Sequence, residues 1–226
     1  MKRYSLICIS AVLALVCLGA LPGCKSHNAN DTNPIVSMVN AIPATSEIKI
    51  AVGDAQAFAG SGFNGGVRSY RPDPGTYNIA FTVVRDDGRR VTIGHEKLRF
   101  EALCRYTFVA YQSDGVFRVR TLTSAVRKTG APDGVELRVV NAVVDAHKID
   151  ISLNAIVALP GIPFGAQSAT IDLDPSDYQV GILEPGDGYK PLTSPLSLKL
   201  QKGGDYTLIV SGRKADGTIT TQLLED

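Results

Sequence analysis

Two tandem antiparallel β-sandwich domains, immunoglobulin-like or transthyretin-like in architecture and preceded by a signal-peptide helix, are what the sequence predicts. Three observations carry this all-β reading: a segment written twice, apolar residues that recur with period two, and turns marked by Asp-Gly. The repeat shows first in Met38-Val39-Asn40-Ala41, which aligns with Val139-Val140-Asn141-Ala142 at an offset of 101 residues. The same offset pairs Ile48 with Ile149, Ile50 with Ile151, Phe63 with Phe164, Asp73-Pro74 with Asp174-Pro175 and Tyr77 with Tyr178. At an offset of 100, Tyr106-Thr107-Phe108-Val109 matches Tyr206-Thr207-Leu208-Ile209, so one single-residue slip keeps the register. Self-similarity on this scale means a duplicated structural unit. The units are placed at 35–127 and 135–226, joined by a Gly/Pro linker at 128–134.

Within each unit, short runs alternate apolar and polar residues as half-buried strands do. Ile48-Lys49-Ile50, Tyr77-Asn78-Ile79-Ala80-Phe81 and Phe117-Arg118-Val119-Arg120 do so in the first unit. Ile149-Asp150-Ile151-Ser152-Leu153 and Leu196-Ser197-Leu198-Lys199-Leu200 do so in the second. Asp-Gly pairs begin at Asp87, Asp114, Asp133, Asp187 and Asp216, and a tight hairpin needs the positive φ that this pair supplies. No stretch beyond the N-terminal leader holds a 3.6-residue apolar stripe long enough for a helix. Seven or eight short strands per unit are expected, which suits a sandwich.

The first 23 residues read as a signal peptide: Lys2 and Arg3 precede an apolar run from Leu6 to Leu18. That run is too short to span a bilayer core of about 30 Å comfortably and fits a secretory h-region. It ends in Leu21-Pro22-Gly23-Cys24, which resembles a bacterial lipobox. The resemblance implies diacylglyceryl modification of the Cys24 thiol, cleavage before it and acylation of the new N-terminus. A cut after Ala20 is the rival, but it would put Leu18 where a small residue is wanted. Two or more acyl chains hold a protein firmly on a bilayer without a transmembrane helix. Residues 24–34 then form the lipidated cysteine and a polar tether, KSHNANDTNP. Lys25 follows the cysteine in place of the Asp that retains enterobacterial lipoproteins at the inner membrane, which implies the outer membrane in a Gram-negative host. Cys8 and Cys17 would leave with the signal peptide and Cys24 would carry lipid. One thiol then remains, Cys104, expected as a buried hydrophobe that cannot form an intramolecular disulfide.

Two paired motifs read as structure. Asp73-Pro74-Gly75-Thr76-Tyr77 and Asp174-Pro175-Ser176-Asp177-Tyr178 resemble tyrosine corners, in which the hydroxyl bonds back to a nearby backbone group. Asn40 and Asn141 read as strand-end residues whose side chains tie off the following turn. The run Val139 to Ile151, the Pro-Gly-Thr-Tyr turn and the two Tyr-Thr-hydrophobic strands together resemble the DUF4397 domain. That domain is a β-sandwich module of bacterial surface and exported proteins, often in tandem. The resemblance implies fold and location, and it supplies no catalytic or ligand residues.

Candidate chemistry is sparse. Of three histidines, His27 lies in the tether, and neither His95 nor His147 has a counterpart in the other unit. Asp145-Ala146-His147 suggests an acid–base pair, yet no nucleophile motif accompanies it and it reads as a solvated turn. Asp172, Asp174 and Asp177 could converge oxygens on Ca²⁺, although the first unit has Arg71, Asp73 and Thr76 at those positions. No other metal site and no cofactor is expected.

The whole chain carries a net charge of +1, which excludes nucleic-acid binding through bulk charge. That total conceals a first unit of +4 and a second of −5. Arg85, Arg89, Arg90, Lys97 and Arg99 bracket one hairpin of the first unit. They offer a patch for an anionic partner such as lipid head groups or an acidic glycan, or a contact between the units, or a solvated hairpin. The expected function is that of a non-enzymatic, membrane-anchored envelope lipoprotein with a binding or scaffold role, its partners the bilayer and an envelope protein or anionic glycan. The alternative is an envelope polysaccharide-binding module, against which the absence of Trp counts. A hydrolase would need a convergent polar pocket that the sequence does not advertise.

Overall fold

The computed structural model describes residues 32–59, 62–63, 65–126, 133–186 and 188–225. The signal-peptide segment, Cys24, His27, Asp187 and most of the linker lie outside them. The described residues form sixteen strands, eight per repeat. The first repeat runs β1 (Ile35–Asn40), β2 (Thr45–Val52), β3 (Ala55–Ala59), β4 (Arg68–Tyr70), β5 (Gly75–Arg85), β6 (Arg90–Phe100), β7 (Cys104–Ser113) and β8 (Val116–Ala125). The second runs β9 (Val135–Val143), β10 (Lys148–Leu153), β11 (Ile156–Pro163), β12 (Ile171–Leu173), β13 (Ser176–Leu183), β14 (Leu196–Leu200), β15 (Asp205–Gly212) and β16 (Thr220–Glu225).

Each repeat folds into two four-stranded sheets. In the first repeat they are β3-β2-β5-β6 and β4-β1-β7-β8, and in the second β11-β10-β13-β14 and β12-β9-β15-β16. The strand order is identical, as the offset of 101 demands. The expected sandwich is present, with one difference: β1 pairs parallel with β7, and β9 parallel with β15. A parallel pair needs a long crossover, and here the intervening strands provide it. These strands are apolar on both faces and so lack the alternation from which their pairing could be read.

Alternation places the cores. Ile48, Ile50, Ile79, Phe81 and Val83 point from β2 and β5 onto Val36, Met38, Tyr106 and Phe108 of β1 and β7. In the second repeat Ile149, Ile151, Val180 and Ile182 meet Leu137, Val139, Tyr206 and Leu208. Turn chemistry follows the sequence at Asp114-Gly115, where both residues have positive φ (50° and 77°), as a type I′ hairpin requires. The β10–β11 turn uses Asn154-Ala155 at φ 50° and 68° instead, and its alanine carries no turn signature.

The two asparagines sit where predicted. Asn40 is buried and its Oδ1 accepts from the Ile42 amide at 3.0 Å, while its Nδ2 donates to Thr45 Oγ1 at 2.9 Å. Asn141, fully buried, accepts from the Val143 amide at 3.0 Å and donates to the Ile162 carbonyl at 3.1 Å. Each side chain closes the turn between the two sheets of its sandwich and satisfies a backbone amide just past the strand end, that of Ile42 or Val143.

Cys104 corrects an expectation. It is fully buried as foreseen, but it is disulfide-bonded, and its partner lies outside the described residues. The count that left it alone assumed the cleaved chain; the intact sequence keeps Cys8, Cys17 and Cys24. Beside it, the Leu103 amide donates to the Thr32 carbonyl at 2.8 Å, which holds the start of the described chain against β7.

The second face of the inner sheets is also buried. Val39, Ala41, Val109 and Leu122 of the first repeat pack with Val140, Ala142, Ile209 and Leu224 of the second in one apolar cluster. The sheets therefore stack in four layers, outer–inner–inner–outer. The contact is pseudo-symmetric, because each residue meets the structural counterparts of its own set. Arg120 and Gln222 face Val109 and Ile209 in their ladders, so they are counterparts too. Arg120 Nη1 donates to the Gly165 carbonyl at 2.8 Å, and Gln222 Nε2 to the Gly65 carbonyl at 3.0 Å. Tyr111 meets Phe164 edge-on across the same interface, with ring centroids 5.4 Å apart. Gly165 combines a φ of +69° with an approach that would bring a Cβ within 2.9 Å of the Tyr111 hydroxyl, so only glycine suits it.

Replacing Asn141 with Ala strands the Val143 amide in the core and removes the Nδ2 bond to the Ile162 carbonyl. The expected loss is about 2 kcal/mol of unfolding free energy, read as a lower urea midpoint at unchanged slope. A loss well under half of that would show that the turn does not depend on this side chain.

Candidate functional site

The tyrosine motifs are structural, as read. Tyr77 donates from its hydroxyl to the Asp73 carbonyl at 3.0 Å, and Tyr178 to the Asp174 carbonyl at 2.9 Å. A second pair was missed. The Tyr106 hydroxyl accepts from the Glu101 amide at 2.9 Å and donates to the Arg99 carbonyl at 3.2 Å; its counterpart Tyr206 accepts from the Gln201 amide at 3.1 Å. Burial pushes the Tyr106 hydroxyl above its ordinary pKa, so it stays a neutral donor. The recurring Tyr-Thr strands were the available signal.

Asp145 and His147 do not form an acid–base pair in the described contacts. The Asp145 carboxylate accepts from the Lys214 amide at 2.6 Å and the Ala215 amide at 2.8 Å, clamping the β15–β16 loop to the β9–β10 turn. Burial raises its pKa, but these two amides outweigh that and hold it below the usual carboxylate value. His147 is exposed, and its carbonyl accepts from the Phe164 amide at 2.9 Å. His95 is exposed on β6.

Asp172 lies on β12, Asp177 on β13 and Asp174 in the connection between them, all exposed. β12 and β13 belong to different sheets. Among the described residues no group of three or more His, Cys, Asp or Glu side chains stands close enough to hold a metal ion. The chain direction turns between the sheets at Pro175, which separates carboxylates that a single strand would have aligned.

The five cations of the first repeat fall into two groups. Arg85, Arg89 and Arg90 stand at the β5–β6 tip, while Lys97 and Arg99 lie towards the other end of β6. Nine residues from Arg90 to Arg99 span about 30 Å of strand. Arg89 is taken up locally by Asp87, with Nη2 to Oδ2 at 2.6 Å, and that hydrogen bond lowers the Asp87 pKa and raises that of Arg89. Arg85 lies over the Phe117 ring at 5.1 Å, so its stem and guanidinium cover apolar surface.

A polar cleft of about 350 Å³ opens instead where the repeats meet. Neighbouring strands place Ser69, Ser37 and Thr107 in one row across β4, β1 and β7, on the face that Val39 and Val109 share with the interface. Ser37 Oγ and Ser69 Oγ are 2.9 Å apart. Arg105 lines the same space from β7, and Gln222 and Glu225 enter from β16 of the second repeat. No sequence signal marked it, because its lining is drawn from both repeats and from hydroxyl side chains that read as ordinary strand residues.

The Asp145 clamp titrates. Its folded pKa lies below the unfolded value, so its contribution is complete above the ordinary carboxylate range and is lost as pH falls through the depressed value. Asp145→Ala is expected to cost about 1 kcal/mol at pH 7 and nothing once both states are protonated. Thermal melts of the two proteins from pH 7 down to the depressed range check this; a pH-independent gap would reject the clamp.

Residues 135–226, the second repeat, match the family described as Domain of unknown function (DUF4397). No curated protein matches the chain. Among solved structures the chain is similar to the C-terminal domain of AlgF from P. aeruginosa. The identity is 14% and the TM-score 0.31, over 42% of this chain and 99% of that one. The matched residues are those of the second sandwich, which is thus similar to a DUF4397 domain.

Proposed function

We propose that this chain is a lipid-anchored protein of the bacterial cell envelope, non-catalytic, whose two sandwiches act as one binding or scaffold block. The observation that carries it is the N-terminal sequence: a basic start, the Leu6–Leu18 apolar run, Leu21-Pro22-Gly23-Cys24 and a polar tether that leads into β1 at Ile35. The family match on the second repeat agrees with such a role, and the first repeat, with its identical strand order, reads as a diverged copy of the same domain. The apolar contact between inner sheets supports a single rigid block, since it spends on each other the faces that two separate modules would leave to partners. On this reading Lys25 directs the protein to the outer membrane of a host that has two.

The disulfide on Cys104 makes the anchor testable in two ways. Cleavage before Cys24 removes Cys8 and Cys17, so in the mature chain a disulfide and a lipid thioether would compete for the Cys24 sulfur. The expected result is palmitate labelling that Cys24→Ala abolishes and Cys104→Ala preserves, with an intact mass that includes the acyl chains. Continued labelling of Cys24→Ala would sink the proposal, as would a mature mass two hydrogens short and without lipid. In-cell proximity crosslinking of the tethered form then identifies the partner.

A further inference from the structure

We infer that a cleft at the tether end of the first repeat binds a phospholipid head group with a phosphodiester and a primary ammonium, as in phosphatidylethanolamine. The cleft measures about 400 Å³, within the range of small-ligand sites. One wall is the turn through Pro74 and Gly75, and the other is the end of β6 with the connection through Glu101 and Ala102. The incoming chain is fixed against both walls. Asn33 Nδ2 donates to Asp73 Oδ1 at 3.4 Å, and the Leu103 amide donates to the Thr32 carbonyl at 2.8 Å. The stretch from Cys24 to Thr32 spans at most about 28 Å, so a lipid on Cys24 would hold the cleft close to the bilayer. The lipid source of the ligand rests on the anchor proposed above; the cleft and its chemistry do not.

The two repeats differ at this end. By strand register Thr76 stands opposite Arg99, and the equivalent pair of the second repeat is Asp177 opposite Lys199. Gly75 stands in place of Ser176, Glu101 in place of Gln201 and Ala102 in place of Lys202. The second repeat thus sets an acid across from its own cation, and its Lys202 pairs with Asp133 at 2.5 Å. In the first repeat the cation faces a hydroxyl, two smaller residues flank the open volume, and an acid stands two residues further on. Arg99 and Thr76 are exposed and Glu101 is half-buried, so all three can reach a ligand. Among the described residues neither the Arg99 guanidinium nor the Glu101 carboxylate is engaged in an ion pair. One cation and one acid lining the same cleft call for a zwitterion rather than an anion. A guanidinium takes two phosphate oxygens in a planar fork, and the Thr76 hydroxyl can donate to the same phosphate. Glu101 can accept from the N–H groups of a primary ammonium. A quaternary ammonium has no N–H to give and is recognised by aromatic faces, whereas Phe100, the aromatic residue of the lining, is buried. A short tether gives an effective concentration in the millimolar range, so a weak site is enough to set which end of the sandwich faces the bilayer.

The test titrates the chain from Lys25 onward, which holds every described residue, and reads amide chemical shifts. The probes are glycerophosphoethanolamine, glycerophosphocholine and glycerophosphoglycerol. The first is expected to bind and to shift Thr76 and Glu101, and the other two to bind about 10-fold more weakly. Arg99→Gln should weaken binding about 10-fold, and so should Thr76→Asp, which gives Arg99 the acid that Lys199 faces. Glu101→Gln should erase the preference over the glycerol head group. Bicelles of phosphatidylcholine mixed with phosphatidylethanolamine should move the same resonances, and bicelles of phosphatidylcholine alone should not. The inference is overturned by absence of glycerophosphoethanolamine binding, by binding that Arg99→Gln and Thr76→Asp leave unchanged, or by the choline compound binding as tightly. A response to the free head group with none to the mixed bicelles overturns the lipid source. Palmitate labelling decides the anchor separately. Normal labelling without head-group binding defeats this inference alone, whereas head-group binding with a label that Cys24→Ala retains upholds it and defeats the anchor.

Discussion

Burial of four strands on both faces is the constraint on which the rest of this structure depends. A sandwich strand normally shows one face to water, yet β1, β9 and β15 are buried almost throughout and β7 is buried over its central Tyr106–Ala110. Even-numbered Val36, Met38, Tyr106 and Phe108 serve the first core, and odd-numbered Val39 and Val109 serve the contact with the second repeat. Burying a Val, Leu or Ile side chain contributes roughly 1.5–3 kcal/mol as an upper estimate. The cost of bringing the partners together is small because one short linker joins them. The contact fixes which faces remain available: the outer sheets, the edges and the two ends of the interface.

Much of the fold was legible because alternation and turn chemistry are local. The outer strands β2, β5 and β13 have one face in a core and the other less buried, and they show period two; β10 alternates in sequence although Asp150 and Ser152 on its second face are buried as well. The parallel pairing was not legible, since Ile35-Val36-Ser37-Met38-Val39 has no alternation to read. Such a run is itself a sign of burial on both faces, and it was the one signal for the inter-repeat contact. Asn40 and Asn141 were readable because their hydrogen bonds span two residues. The bond from Arg120 to Gly165 spans 45 residues, and that from Gln222 to Gly65 spans 157. Nothing in either local sequence announces them. The candidate site fared worse for the same reason: cations adjacent in sequence are spread along a strand, whereas the cleft gathers residues from both ends of the chain.

Duplication explains how these features coexist. Two copies of a self-complementary face pair with each other as a symmetric dimer would, so equivalent residues meet on both sides of a local two-fold. Once both copies lie on one chain, each can change without a matching change in the other. Leu103 keeps a positive φ of 59° at a position where the second copy has Gly203 at 74°, so the backbone shape persists while the residue that eases it does not. Leu103 is buried, and its packing offsets the roughly 1 kcal/mol or more that a side chain in this region costs.

The charge asymmetry follows the same logic but acts at the surface. Each copy could have carried a balanced charge, yet the first is +4 and the second −5. The inner faces that touch are apolar at their centre, so the difference is not needed to hold the core of the interface together. It is expressed at the ends, where Ser37 and Arg105 stand opposite the pattern of Arg138 and Asp205. A symmetric pair would have two identical ends, both filled or both open. Divergence placed Arg138 and Asp205 at one end and Ser37 and Arg105 at the other, so the two ends of a single packing contact differ in side-chain length and in charge.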